Sequence, residues 1–131
     1  MSTWIIPCNV KYYDVISAFN CLKKLNWKQS TRIEIGDIVY IYVGRPYSAI
    51  LYKCGVNKVN LPSPEIDDTV FNKDDEVYGH YGNYMELELM DTYAPSLFTL
   101  DKLKEYGLTG NIQGPRKATA LIQRLLDSKP N

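Results

Sequence analysis

Apolar positions along this chain follow two rhythms, one of strands and one of helices. Thr3 to Cys8 (TWIIPC) is a short continuous run that reads as a first strand, ended by Pro7 and followed by the turn-forming Asn9. Asp14 stands where a helix cap belongs. Behind it Val15, Phe19 and Leu22, with Ile16 and Leu25, make a stripe that predicts a helix over residues 15–25. Lys23 and Lys24 then fall in its last turn, where the helix dipole favours cations. Residues 27–32 (WKQSTR) are polar around one indole and read as a loop. Ile33 to Val43 is the strongest strand signal, with a Gly36-Asp37 turn before its β-branched and aromatic run. Gly44 to Tyr47 makes a hairpin-like connection, and Ser48 to Val59 returns as a long strand in which Gly55 marks a bulge or a close backbone approach.

From Leu61 to Gly82 the pattern dissolves into prolines and acidic side chains, Asp67, Asp68, Asp74 and Asp75 among them, and predicts a solvated loop or insertion. Order resumes at Tyr84 to Met90 (YMELELM), which alternates with period two: Met85, Leu87 and Leu89 face one way, Tyr84, Glu86, Glu88 and Met90 the other. Thr99 can cap a helix over residues 100–106, closed by Gly107. Gly110 to Pro115 reads as a loop, and Pro115 as the first position of a last helix with a stripe of Ala118, Leu121, Ile122 and Leu125. The order β-α-β-β-loop-β-α-α predicts an α+β fold with a mainly antiparallel sheet flanked by helices. With no internal repeat or linker, residues 1–131 read as a single domain.

Composition narrows the function classes. Fifteen basic and fifteen acidic side chains give a net charge of zero, so any nucleic-acid surface must be a local patch. The three cysteines, Cys8, Cys21 and Cys54, form no CxxC pair and lie in apolar contexts, which predicts buried thiols outside disulfides in a reducing compartment. No apolar run approaches the ~18 residues of a membrane span, and no secretory segment follows Met1, so a soluble cytoplasmic protein is expected. Eleven tyrosines against three phenylalanines suggest half-wet surfaces and pockets rather than a dry core.

Four pieces in order resemble the EVE domains of the PUA-like superfamily, relatives of the YTH and ASCH domains. They are Trp4-Ile5-Ile6 with Asn9, Trp27 in the next loop, Gly36-Asp37-Ile38-Val39-Tyr40-Ile41-Tyr42, and the tail from Gly110 to Arg116 (GNIQGPR). The likeness spans essentially the whole chain. It implies a curled sheet or β-barrel of five to six strands with about three helices. It further implies a non-catalytic domain that recognises a modified base, such as methylated cytosine, in DNA or RNA, and the company of a nuclease or other effector protein. No third tryptophan is present, so a tyrosine would complete the aromatic cage.

The candidate residues follow from that chemistry. A reader of single bases replaces lost stacking with protein π-faces worth ~1–3 kcal/mol each, which assigns Trp27, Tyr42 and the hairpin-tip Tyr47 to a base pocket; Trp4 reads as core. Asn9, Gln29, Ser30 and Ser48 could read a base edge, although each also suits ordinary turn chemistry. Arg116 and Lys117, in the first turn of the predicted last helix, oppose its dipole unless they hold an anion, so they are assigned to a phosphate, with Lys11, Arg45 and Lys53 extending the patch. No cofactor is expected, and His80, the lone histidine, argues against a zinc site on ligand count. The rival is a small ASCH-like enzyme or nucleoside-binding protein, whose base would have to be Asp37, Glu34 or His80. A protein–protein module built on the acidic loop is a third reading.

Overall fold

The computed structural model describes residues 1–29, 32–67, 69–71 and 83–128. Ser30, Asp68, Asp74, Asp75 and His80, singled out above, lie outside the described residues. Six strands form one mixed sheet in the order β2-β5-β4-β3-β1-β6. They are β1 (Thr3–Cys8), β2 (Lys24–Lys28), β3 (Ile38–Val43), β4 (Ala49–Leu61), β5 (Tyr84–Thr92) and β6 (Arg116–Lys117). Among the described residues three α-helices, α1 (Val15–Cys21), α2 (Leu100–Glu105) and α3 (Ala120–Asp127), flank it, as the predicted α+β class requires. β1 pairs with β3 in parallel and the other pairings are antiparallel.

Period-two alternation puts a core on each face of the sheet. On one face Trp4, Ile6, Val39, Ile41, Leu51, Met85 and Leu87 pack with Val15, Ala18 and Phe19 of α1. On the other, Ile5, Tyr40, Tyr42 and Ile50 pack with Phe98, with Leu103 of α2, and with Ile122, Leu125 and Leu126 of α3. Gly55 itself keeps register with Glu88 between two register shifts of the β4–β5 ladder, and a Cβ there would stand 3.3 Å from the Met90 sulfur, so the close approach is by a side chain rather than by backbone.

Several expectations are corrected. α1 ends at Cys21, and Leu22 is already extended; the segment predicted as helix end and polar loop forms β2, with Leu25 opposite Leu87 and Trp27 opposite Met85. Leu25 satisfies a helical stripe and an alternating strand equally, and the partner strand decides. Lys23 and Lys24 therefore cap no helix. Arg116 and Lys117 belong to β6, paired with Ile5 and Trp4, and α3 starts later, where the Thr119 hydroxyl accepts a hydrogen bond from Ile122 N at 3.3 Å. The later start rephases the stripe: Leu126 is buried and Leu121 is exposed. Cys21 is exposed, unlike Cys8 and Cys54. The tyrosines are less wet than their number suggests, since Tyr13, Tyr40, Tyr42, Tyr52, Tyr84 and Tyr93 are all buried. Among the described residues no helix is long and apolar enough to cross a membrane.

Candidate functional site

Where β1 and β3 end side by side, their chains part. The Gly44 N–H still donates to the Cys8 carbonyl at 3.0 Å, the last rung joining them. Beyond it the β1 chain turns at Asn9 toward α1. The β3 chain turns through Gly44 and Arg45, where the Gly44 carbonyl accepts from Tyr47 N at 3.1 Å. The loop that enters β6 runs alongside, held by the Arg116 guanidinium donating to the Thr109 carbonyl at 3.2 Å. These three segments border a crevice of about 580 Å³ that is open to solvent. Pro7, Tyr42 and Ile112 give it apolar and aromatic wall, Tyr12 adds a half-buried ring, and Asn9, Arg45 and Gln113 bring polar groups. That volume lies within the usual range for small-molecule sites.

The local structure fixes how those groups are presented. Asn9 closes an Asx turn, its Oδ1 accepting from Lys11 N at 2.9 Å, while its backbone carbonyl accepts from Tyr12 N and Tyr13 N at 3.0 and 3.2 Å. That turn carries the Lys11 ammonium over the Tyr12 ring, 5.6 Å from its centroid. Arg45 is exposed at the rim, whereas Tyr42 is buried from the far side by the α2–α3 core.

Of the residues assigned from sequence, Asn9, Tyr42 and Arg45 line this crevice, with Lys11 at its edge through Tyr12. The others stand elsewhere. Trp27 is half-buried in β2, edge-on to Tyr13 with centroids 5.6 Å apart, and Tyr47 packs against the same core. Gln29 is clasped to Asn60, donating to its side chain at 3.1 Å and accepting from its backbone at 2.9 Å. Ser48 takes a left-handed φ of 49° and turns the chain into β4. Lys117 lies over Trp4 at 5.4 Å and Lys53 over Tyr40 at 5.9 Å. With β6 replacing the predicted helix start, the paired Arg116–Lys117 phosphate site at a helix N-terminus does not form. Tyr12, Ile112 and Gln113 carry no signal of their own in the sequence. Ile112 and Gln113 belong to the tail that resembles the EVE domains, and their placement depends on the β1–β6 pairing.

Of the rival's candidate bases, Asp37 is already engaged away from the crevice. Asp37 is buried and accepts three hydrogen bonds, from Ser2 N (2.8 Å), Trp4 Nε1 (3.0 Å) and Glu34 N (3.0 Å). Burial alone would raise its carboxyl, but those bonds outweigh it and hold the group below its ordinary value. It is a structural anchor. Burial pushes Tyr40, Tyr52 and the Cys54 thiol up to about 12, which keeps them protonated and poor nucleophiles. Among the described residues no three His, Cys, Asp or Glu side chains converge as a metal site.

No protein-family model matches the sequence, and no curated protein matches it. Solved structures do match the fold. An ASCH protein from Zymomonas mobilis superposes with a TM-score of 0.65 at 12% identity, covering 97% of this chain and 94% of that one. A Pseudomonas putida protein gives 0.66 at 13% identity over 97% and 98% of the two chains. A hypothetical protein from Leishmania major gives 0.63 at 13% identity over 97% and 93%. At such identities the likeness establishes the fold, the PUA-like architecture shared with the ASCH structure, and nothing about chemistry.

Proposed function

We propose that this protein captures a single nucleobase, carried on a nucleotide or extruded from a strand, in the crevice at the ends of β1 and β3, and binds it without transforming it. The observation that carries the reading is the lining: aromatic rings from Tyr12 and Tyr42, amides from Asn9 and Gln113, and one guanidinium at the rim, Arg45. Flat heterocycles are held by π-faces, their edges by amides, and a phosphate by arginine. Pro7 and Ile112 add apolar wall against which a base methyl would pack, which suits a modified base. The resemblance of the β1–Asn9 segment and the closing tail to EVE domains supports the same use of the fold.

Binding rather than catalysis is favoured because the described residues bring no carboxylate to the lining, and the Cys8 sulfur there is buried and within 4.0 Å of the Tyr13 carbonyl. Among the described residues the lining brings a single guanidinium, Arg45, which favours a nucleoside, a nucleotide or a short single strand over a long duplex. With Arg45 and Lys11 the only lysine or arginine side chains assigned to the crevice and its edge, a salt slope near −1.4 follows for a single strand, at ~0.7 per phosphate neutralised.

The test is a calorimetric panel of nucleosides, nucleotides and short oligonucleotides, with and without base methylation. Tyr12→Ala should weaken the best ligand by about 5- to 150-fold, the equivalent of ~1–3 kcal/mol of stacking. Trp27→Ala, in the same panel, should change affinity little. The reverse result would move the base to the Trp27 end of the sheet, and a panel with no binder at all would end the reading.

A further inference from the structure

At the Asn9 side of the crevice the backbone carbonyls already accept hydrogen bonds, and the side chains that face a ligand there are donors. The Cys8 carbonyl takes the Gly44 N–H, the Asn9 carbonyl takes two from Tyr12 and Tyr13, and the Gly44 carbonyl takes those of Tyr47 and Ser48. The Asn9 side chain repeats the pattern. Its Oδ1 accepts from Lys11 N, and because a backbone N–H can only donate, that bond fixes which way the amide is turned. Nδ2, with two N–H groups, is left as the end available to a ligand. The Arg45 guanidinium makes no hydrogen bond or ion pair among the described residues, and none of the lining residues is acidic. The Gln113 amide can be turned either way, and the Tyr12 and Tyr42 hydroxyls can donate or accept.

We infer that at Asn9 Nδ2 the crevice selects a ring carbonyl, as uracil-like and xanthine-like bases present beside their ring N–H, over the exocyclic amino group of their amino-bearing counterparts, with Gln113 Oε1 free to meet the ring N–H. This rests on the reading that a nucleobase occupies the crevice, and it turns away from methylated cytosine toward oxo bases, methylated or not. An exocyclic amino group set against Asn9 Nδ2 would put donor against donor. The bond is lost and both groups give up water without compensation, which is how a site built to hydrogen-bond one edge rejects an isostere with the other. Arg45 then accepts whatever anion the sugar carries.

Uridine and cytidine separate these cases, since they match in size and neither carries charge. The wild-type protein should bind uridine at least about tenfold more tightly by calorimetry at fixed salt. Asn9→Asp keeps an oxygen for Lys11 N and replaces the Nδ2 donor with an acceptor, so it should reverse the order in favour of cytidine. Equal affinities, a wild-type preference for cytidine, or an order unmoved by Asn9→Asp each overturn the inference while leaving base capture standing. If no nucleoside, adenosine and guanosine included, binds at millimolar concentration, the capture reading falls and the inference falls with it.

Discussion

Replacing Asp37 with asparagine removes a charge and one acceptor while preserving shape, so it isolates what the buried carboxylate does. Two donors converge on Oδ2, Trp4 Nε1 and Glu34 N, each at 3.0 Å, and Ser2 N reaches Oδ1 at 2.8 Å. An asparagine can keep its oxygen toward the pair and turn its NH2 toward Ser2, losing one charge-assisted bond and weakening two. Hydrogen bonds to charged groups contribute ~1.5–3 kcal/mol apiece, so Asp37→Asn should destabilise by roughly 2–3 kcal/mol and Asp37→Ala by more. The acid limb supplies a second readout. Because the folded carboxyl lies below its ordinary value of 3.8, its contribution is whole above the unfolded pKa and drains away as pH falls through the folded one. Urea unfolding followed by tryptophan fluorescence, with Trp4 as a direct reporter, should show the gap between wild type and Asp37→Asn narrowing below pH ~4. A gap that stays constant through that window, or a variant as stable as wild type at neutral pH, refutes the reasoning. So does unaltered stability with altered ligand binding, since Asp37 would then be acting at a site.

Two further substitutions test the packing. Thr119→Ala should destabilise by ~1 kcal/mol in thermal unfolding, because it removes the cap of α3; a helix that began at Pro115 would instead gain slightly, since alanine is the better interior residue. Phe98 is 1% exposed and edge-on to Tyr93 at 4.9 Å, so Phe98→Ala should destabilise by ~3–5 kcal/mol in urea, and a loss under 1 kcal/mol would mean that the α2–α3 core closes elsewhere.

Local chemistry makes much of the fold legible in the sequence. The bounds of β1, the Gly36-Asp37 turn and the Thr99 cap rest on interactions within a few residues, and each holds; β5 forms as predicted, but Tyr84 and Glu86 are buried along with Met85 and Leu87, so its first half is covered on both faces. β2 and β6 are illegible for the opposite reason. Each is short, and each is a strand because a distant strand stands beside it: β5 for Leu25 and Trp27, β1 for Arg116 and Lys117. The site divides along the same line. Asn9, Tyr42 and Arg45 are reachable from turn chemistry and from the face a strand residue takes. Gln113 and Ile112 reach the crevice because β6 brings their loop alongside β1, which no pattern within the loop encodes.

The parallel pairing of β1 with β3 explains why a crevice opens at one end of the sheet. At the entry end both strands start together and the structure seals them: Asp37 gathers Ser2, Trp4 and Glu34, and Ile38 N donates to the Ser2 carbonyl at 2.9 Å. At the exit end the two chains must leave in different directions, one toward α1 and one back into β4. An antiparallel pair would close such an end with its own hairpin, whereas a parallel pair leaves a gap that a third segment can wall but not fill. Asn9 and Arg45 stand just beyond the strand ends and are exposed, so core packing does not dictate them. Residues so placed are open to choice by a ligand. The donors they present are what the proposed base capture at this end of the sheet rests on, and a binding panel in which Trp27→Ala matters and Tyr12→Ala does not would move it to the other edge.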